Sequence, residues 1–158
     1  MDVVARETRN GLGIVAKRSF EEGEVLYEVT GVFISGNAED DIDETTRANT
    51  FRYSEDLYIS PDGTIGDFQN HSCEPNAMVV KKNVGLFVVA MAPIKKNDEV
   101  LIDYSTIIAA DDIWEMRCNC GSAQCRGTIK SFDTLPIELR TAYVDGGVVP
   151  EYIVSISE

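Results

Sequence analysis

The sequence predicts a mainly β fold made of several small sheets, and three observations lead there. Short apolar runs recur along residues 3–104, too short for helices and rich in Val, Ile, Phe and Tyr. Turn chemistry separates them, most plainly at Pro61-Asp62-Gly63 and around Gly23. Residues 77–81 and 85–91 alternate as a hairpin does, joined through Lys82-Asn83-Val84. Helix signals gather only after Tyr104, so strands dominate.

In chain order, Ile14-Val15-Ala16 and Val25-Leu26-Tyr27 flank the turn-like residues 19–24, and Val32-Phe33-Ile34 ends at Ser35-Gly36-Asn37. Asn10-Gly11-Leu12-Gly13 sits in this region; its glycines allow a ligand close to the backbone, and a plain hairpin turn explains them as well. Residues 38–47 hold the acidic run Glu39-Asp40-Asp41-Ile42-Asp43-Glu44, expected as a solvated loop. Phe51-Arg52-Tyr53 and Leu57-Tyr58-Ile59-Ser60 read as two strands. A further strand is expected over 99–102 and closes at Asp103-Tyr104. Residues 109–117 are expected as a short helix capped near Asp111. Thr134-Leu135-Pro136 opens a helix to about Tyr143, stopped by Gly146-Gly147, and 148–156 reads as a final strand.

At 158 residues and 44% hydrophobic composition, the chain suits one core. No apolar run approaches a membrane span, so no membrane partner is expected. Residues 1–7 lack the pattern of a secretory leader, which places the protein inside the cell, cytoplasmic or nuclear if eukaryotic, with reduced cysteines. The net charge of −13 argues against direct nucleic-acid binding, which needs basic residues on phosphates. It suits a basic protein partner, and it equally confers solubility.

One stretch concentrates unusual chemistry. Asn70-His71-Ser72-Cys73-Glu74-Pro75-Asn76 contains the only histidine of the chain and one of its four cysteines. Its short polar side chains and proline suit a rigid loop leading into the strand at 77–80. An Asx/Pro turn also accounts for it when taken alone. The other cysteines form the pattern C-x-C-x4-C in Cys118, Cys120 and Cys125. A structural zinc needs four thiolate or imidazole ligands. Three are local, and the fourth must be Cys73 or His71, both in the histidine loop. A redox role for Cys118 and Cys120 is the alternative.

Three segments fall in a telling order: Asn10-Gly11-Leu12-Gly13-Ile14-Val15-Ala16, the histidine loop, and Asp98-Glu99-Val100-Leu101-Ile102-Asp103-Tyr104. With Cys118-Asn119-Cys120-Gly121-Ser122-Ala123-Gln124-Cys125-Arg126-Gly127 they resemble the SET-domain protein-lysine methyltransferases, compact microbial type, with their cysteine-rich post-SET segment. The resemblance covers residues 3–130. It implies a SET-domain (β-clip) fold in which the histidine loop and the segment ending at Tyr104 form a pseudoknot, with short helices and a C-terminal zinc-binding segment. It divides the chain into a catalytic domain at 1–108, a zinc segment at 109–130 and a tail at 131–158.

The resemblance further implies S-adenosylmethionine held by Asn10, Gly11, Leu12, Gly13, Asn70 and His71, Tyr104 as the catalytic residue, and one structural zinc on Cys73, Cys118, Cys120 and Cys125. The implied reaction puts methyl groups on the lysine ε-amine of a basic protein, histone-like or ribosomal. A SET module without catalysis, serving as a peptide-binding scaffold, is the alternative. Two positions depart from the family pattern. Val29 stands where many members carry tyrosine, and Ile102 where many carry Phe or Tyr. The lysine channel is then lined by others, with Phe51, Tyr53 and Tyr58 the candidates.

Overall fold

The computed structural model describes residues 1–36 and 48–158. The acidic run at 39–44 lies outside the described residues. Among the described residues five small sheets make up the β-structure, four of them two or three antiparallel strands and the fifth a parallel pair. β1 (Val3–Thr8) and β2 (Gly11–Ala16) form a hairpin in which Thr8 pairs with Gly11. The turn between them needs positive φ, which Gly11 adopts at +91°. β3 (Val25–Glu28) joins the hairpin of β8 (Ala77–Lys82) and β9 (Gly85–Ala90) in the order β3-β9-β8. β4 (Val32–Ser35), β5 (Phe51–Arg52) and β6 (Leu57–Ser60) form a third sheet with β6 in the middle.

The parallel pair positions the site. β7 (Asn70–His71) lies beside β10 (Leu101–Ile102), so the histidine loop and the segment ending at Tyr104 are neighbours, as the resemblance implied. Asn76 fastens them from the other end of the loop: its side chain accepts from the Leu101 N–H and donates to the Glu99 carbonyl, each at 2.9 Å. β10 is shorter than the strand expected over 99–102, because Glu99 leaves the pair to bridge Val15.

Two expectations are corrected. Residues 109–117 form no helix. Asp112 accepts the Ala109 N–H at 2.7 Å and closes a turn, a local bond that competes with helix formation. The segment then ends in β11 (Met116–Arg117), paired with β12 (Thr128–Ile129). Residues 148–156 are not a strand; they hold the helix α2 (Glu151–Ile156), which follows α1 (Ile137–Asp145). Pro150 stands immediately before α2, where its missing N–H costs nothing, and its carbonyl accepts from Ile153 and Val154.

Most of the β-structure shares one core, with Ile14, Val79, Val88, Val100 and Ile102 nearly sealed from solvent. Val29 and Ile102 both belong to it. A second cluster gathers Ala109, Phe132, Leu135, Tyr143, Val148, Val149 and Ile153, and through it the C-terminal helices pack onto the connection that follows Tyr104. The Phe132 N–H donates to the Ile108 carbonyl at 2.9 Å and reinforces that seam. Ile153 is fully buried. Ile153→Ala is expected to cost about 2–5 kcal/mol in urea unfolding; a loss under about 0.5 kcal/mol would show that the tail is not docked as described.

Candidate active site and cysteine cluster

Tyr104 is held at both ends. Its backbone N–H donates to His71 Nδ1 at 3.0 Å, and its phenol donates to the Gln69 carbonyl. Burial raises the phenol's pKa, and the Glu99 charge adds to that. Tyr104 therefore keeps its proton at neutral pH, and that proton is committed to Gln69. Burial likewise lowers His71 to about 4, with Arg126 acting in the same direction against Asp103. The imidazole is neutral. Since Nδ1 accepts from Tyr104, the ring proton sits on Nε2.

Beside Tyr104 lies the most constrained charge of the molecule. The Asp103 carboxylate is completely buried and accepts four hydrogen bonds. Arg126 supplies two in a fork at 2.7 and 2.8 Å, Ser105 gives its backbone N–H at 3.0 Å, and the Tyr143 hydroxyl donates at 2.9 Å. A buried carboxylate is tolerable only with such a set of donors. Burial and the neighbouring Asp103 charge together raise the Tyr143 pKa.

A cavity of about 150 Å³ opens over Tyr104. Phe51, Tyr58, Gly66, Gln69, Ile107, Ile108 and Trp114 line it together with Tyr104. The Trp114 ring, the only tryptophan of the chain, is 6.1 Å from that of Tyr104. Arg52 forms part of the wall with its side chain only 2% exposed. It pairs with both oxygens of Asp111 and, at 3.1 Å, with Asp112, whose other oxygen accepts from the Tyr58 hydroxyl at 2.6 Å. These bonds fold residues 107–114 over β5 and β6. Of the three aromatic residues proposed for the channel, Phe51 and Tyr58 line the cavity. Tyr53 lies elsewhere, edge-on to Phe33 with its hydroxyl on the Val84 carbonyl.

On β2, Gly11 faces open space, whereas a side chain at Gly13 would collide with Glu99, Asn70 and Thr8. The Asn70 amide spans this point, donating to Glu99 at 2.8 Å and to the Leu12 carbonyl at 3.1 Å. The cysteine segment closes over the same hairpin: Asn119 donates to the Asn10 side chain at 3.4 Å, and Arg9 lies against the bare face of Gly121. Asn70 thus meets Leu12 and Gly13, Asn10 meets the cysteine segment, and His71 meets Tyr104.

The histidine loop also reaches the cysteines. The ligand atoms of His71, Cys73, Cys118 and Cys120 all lie within 4.8 Å of one another, a group that could hold a metal ion. The sulfurs of Cys73 and Cys118 are 3.8 Å apart, too far for a disulfide. Sulfurs on a tetrahedral zinc at about 2.3 Å would stand about 3.8 Å apart. Cys125, which is exposed, falls outside the tight group but has its thiol against those of Cys118 and Cys120. His71 Nε2, which carries the proton, faces Cys73 at 3.3 Å and so donates to that sulfur. Burial pushes the Cys118 thiol up. Cys120 is pushed up by burial too, but hydrogen bonds from the backbone of Cys73 and Ser122 and from neighbouring thiols bring it down to about 6.

Sequence reasoning missed Asp103, Arg126, Arg52, Gln69 and Trp114. Asp103 and Arg126 had a signal, since each stands directly beside a residue already singled out, Tyr104 and Cys125. The others carried none, because their roles depend on contacts far along the chain.

Small sheets clasped around a paired histidine loop, with a cysteine-rich segment folded back onto it, define the SET fold. The family assignment agrees: the SET domain model matches residues 11–105, and the chain belongs to that family. It is 29% identical, over 73% of its length, to a histone-lysine N-methyltransferase, H3 lysine-36 specific, of Candida albicans. It is 27% identical over 78% to an H3 lysine-4 specific histone-lysine N-methyltransferase of Cryptococcus neoformans, and 31% identical over 80% to histone-lysine N-methyltransferase Set2 of Drosophila melanogaster. The chain spans only 15%, 9% and 6% of those relatives, respectively. Among the described residues no helix is long and apolar enough to cross a membrane.

The Asp103 arrangement makes a direct prediction. Removing the guanidinium in Arg126→Leu leaves a buried carboxylate short of donors and should cost about 3–5 kcal/mol in urea denaturation. A cost below about 1 kcal/mol would contradict the account of that pair.

Proposed function

We propose that this chain is an S-adenosylmethionine-dependent protein-lysine methyltransferase acting on a basic protein of the histone-like or ribosomal kind. The observation that carries the reading is the cavity over Tyr104. Phe51, Tyr58, Ile107, Ile108 and Trp114 give it an aromatic and aliphatic side over Tyr104, and Arg52, Asp111 and Asp112 give it a charged one. Names of relatives add weight, since they specify histone-lysine methylation.

S-adenosylmethionine, when bound, supplies a methyl group on a positively charged sulfur. Asn10, Gly11, Leu12, Gly13, Asn70 and His71 would hold it, with the Asn70 amide tied to the Leu12 carbonyl and open space beside Gly11. Transfer to an amine is an in-line displacement, so positioning supplies most of the rate. The incoming lysine, with a pKa near 10.4, must lose its proton, at roughly 4–5 kcal/mol at pH 7. Phe51, Ile107, Ile108 and Trp114 lower that cost by desolvating the ammonium. Tyr104 then orients the neutral amine. Its own proton is on the Gln69 carbonyl, so its oxygen is free to accept an amine N–H and turn the nitrogen lone pair toward the methyl group.

Cys73, Cys118, Cys120 and Cys125 are proposed to hold one structural zinc. His71 is excluded as a ligand, because its available nitrogen carries the proton, and it serves instead as a donor to Cys73. The metal would anchor the cysteine segment over the histidine loop and take no part in transfer.

Two experiments test this reading. Tyr104→Phe, assayed with labelled S-adenosylmethionine and a histone mixture, should lower transfer to lysine about 100-fold while the protein still binds the cofactor in a thermal-shift assay; equal rates would remove Tyr104 from the site. Elemental analysis should find one zinc per chain, lost in Cys118→Ala together with activity. A metal-free Cys118→Ala protein with full activity would refute the zinc site.

A further inference from the structure

The C-terminal helices lie beyond the segment that the family model covers, yet one places a tyrosine hydroxyl on the residue before Tyr104 and the other on a residue of the cavity wall. Tyr143, on α1, is 6% exposed and donates to Asp103 Oδ2 at 2.9 Å. Asp103 is the residue before Tyr104, and its carboxylate is fixed on the other side by Arg126. Tyr152, on α2, donates to the main-chain carbonyl of Arg52 at 2.7 Å. Arg52 is at the end of β5, whose other edge is paired with β6, and its guanidinium holds Asp111 and Asp112 in the cavity wall. Neither hydroxyl is needed to fill space, because each ring would pack as well without it. Each satisfies one polar group next to the cavity.

We propose that Tyr143 and Tyr152 are positioning residues of the methyl transfer, acting on opposite sides of one site. Tyr143 fixes Tyr104 through Asp103, and Tyr152 fixes the Arg52 wall of the cavity through the Arg52 carbonyl. The inference rests on the transfer reaction proposed above. Its physical basis is the steep dependence of an in-line displacement on geometry, where a misplacement of about 1 Å costs about 100-fold. Losing one of the four donors to Asp103 leaves Arg126 and Ser105 in place, so the fold survives while the backbone before Tyr104 gains freedom. Losing the Tyr152 hydroxyl frees the edge of β5, whose Phe51 and Arg52 line the cavity that would take the lysine, and leaves the bonds of Tyr104 intact.

The two roles separate in the kinetics of the full chain, with recombinant histone H3 as acceptor. Tyr143→Phe should lower kcat about tenfold with the KM for histone unchanged, and Tyr152→Phe should raise that KM about tenfold with kcat within about twofold. Both should melt within about 4 °C of the parent. Parent-like kinetics in both variants, or equal losses in kcat and KM that track the melting temperature, would overturn the proposal. If the parent itself transfers no label, the reaction assignment fails separately, and the wall is read through Trp114. Its emission should move to the red and its acrylamide quenching rise in Tyr152→Phe; an unchanged spectrum and quenching constant would overturn the brace.

Discussion

The Asp103 carboxylate is the constraint around which this molecule is arranged. A charge with no exposure to water must find its donors inside the protein, and here they come from three separated segments. Ser105 lies in the same turn, Arg126 in the cysteine segment and Tyr143 in a C-terminal helix. Satisfying one buried oxygen pair therefore draws the cysteine segment and the tail onto the residue that precedes Tyr104. His71 joins the same group through its bond to the Tyr104 N–H and aims its proton at Cys73. Candidate site, cysteine cluster and tail thus share a single hydrogen-bonded centre.

A second buried charge organises the opposite wall. Arg52 is almost wholly enclosed, and burial, which lowers its pKa, is outweighed by Asp111, Asp112 and Tyr58, so it stays charged. Its two carboxylate partners come from the connection after Tyr104, which explains why that connection is a turn and not a helix. Arg52, Asp111 and Asp112 form a charged side of the cavity, and Phe51, Ile107, Ile108 and Trp114 form an apolar one. The apolar side disfavours an ammonium by desolvation, the condition the proposed transfer requires.

Much of this was legible in the sequence. Patterning and turn residues predicted the hairpin of 77–81 and 85–91, observed as β8 and β9, and the ordered segments around Gly11, His71 and Tyr104 pointed to residues that the fold brings together. What failed did so for tertiary reasons. Residues 109–117 have helical propensity, but Asp111 and Asp112 are captured by Arg52, a partner about sixty positions earlier. Residues 148–156 alternate well enough for a strand, but among the described residues they pair with none, and Ile153 finds its burial on a helix face. Tyr53 was a fair candidate for the channel by composition alone. Its ring is instead held by Phe33 and by the Lys81 ammonium, 3.9 Å from its centre. Trp114 took its place, from a segment whose path only the folded chain reveals.

The central claim is that a substrate lysine enters the cavity and meets Tyr104. A crystal structure of the chain with S-adenosylhomocysteine and a lysine-containing histone peptide tests it most directly. The account predicts the lysine ε-nitrogen inside the cavity within hydrogen-bond reach of the Tyr104 hydroxyl, with the cofactor beside residues 10–13. A peptide bound with its lysine in solvent, or a cofactor lying away from Asn70 and Tyr104, would contradict it.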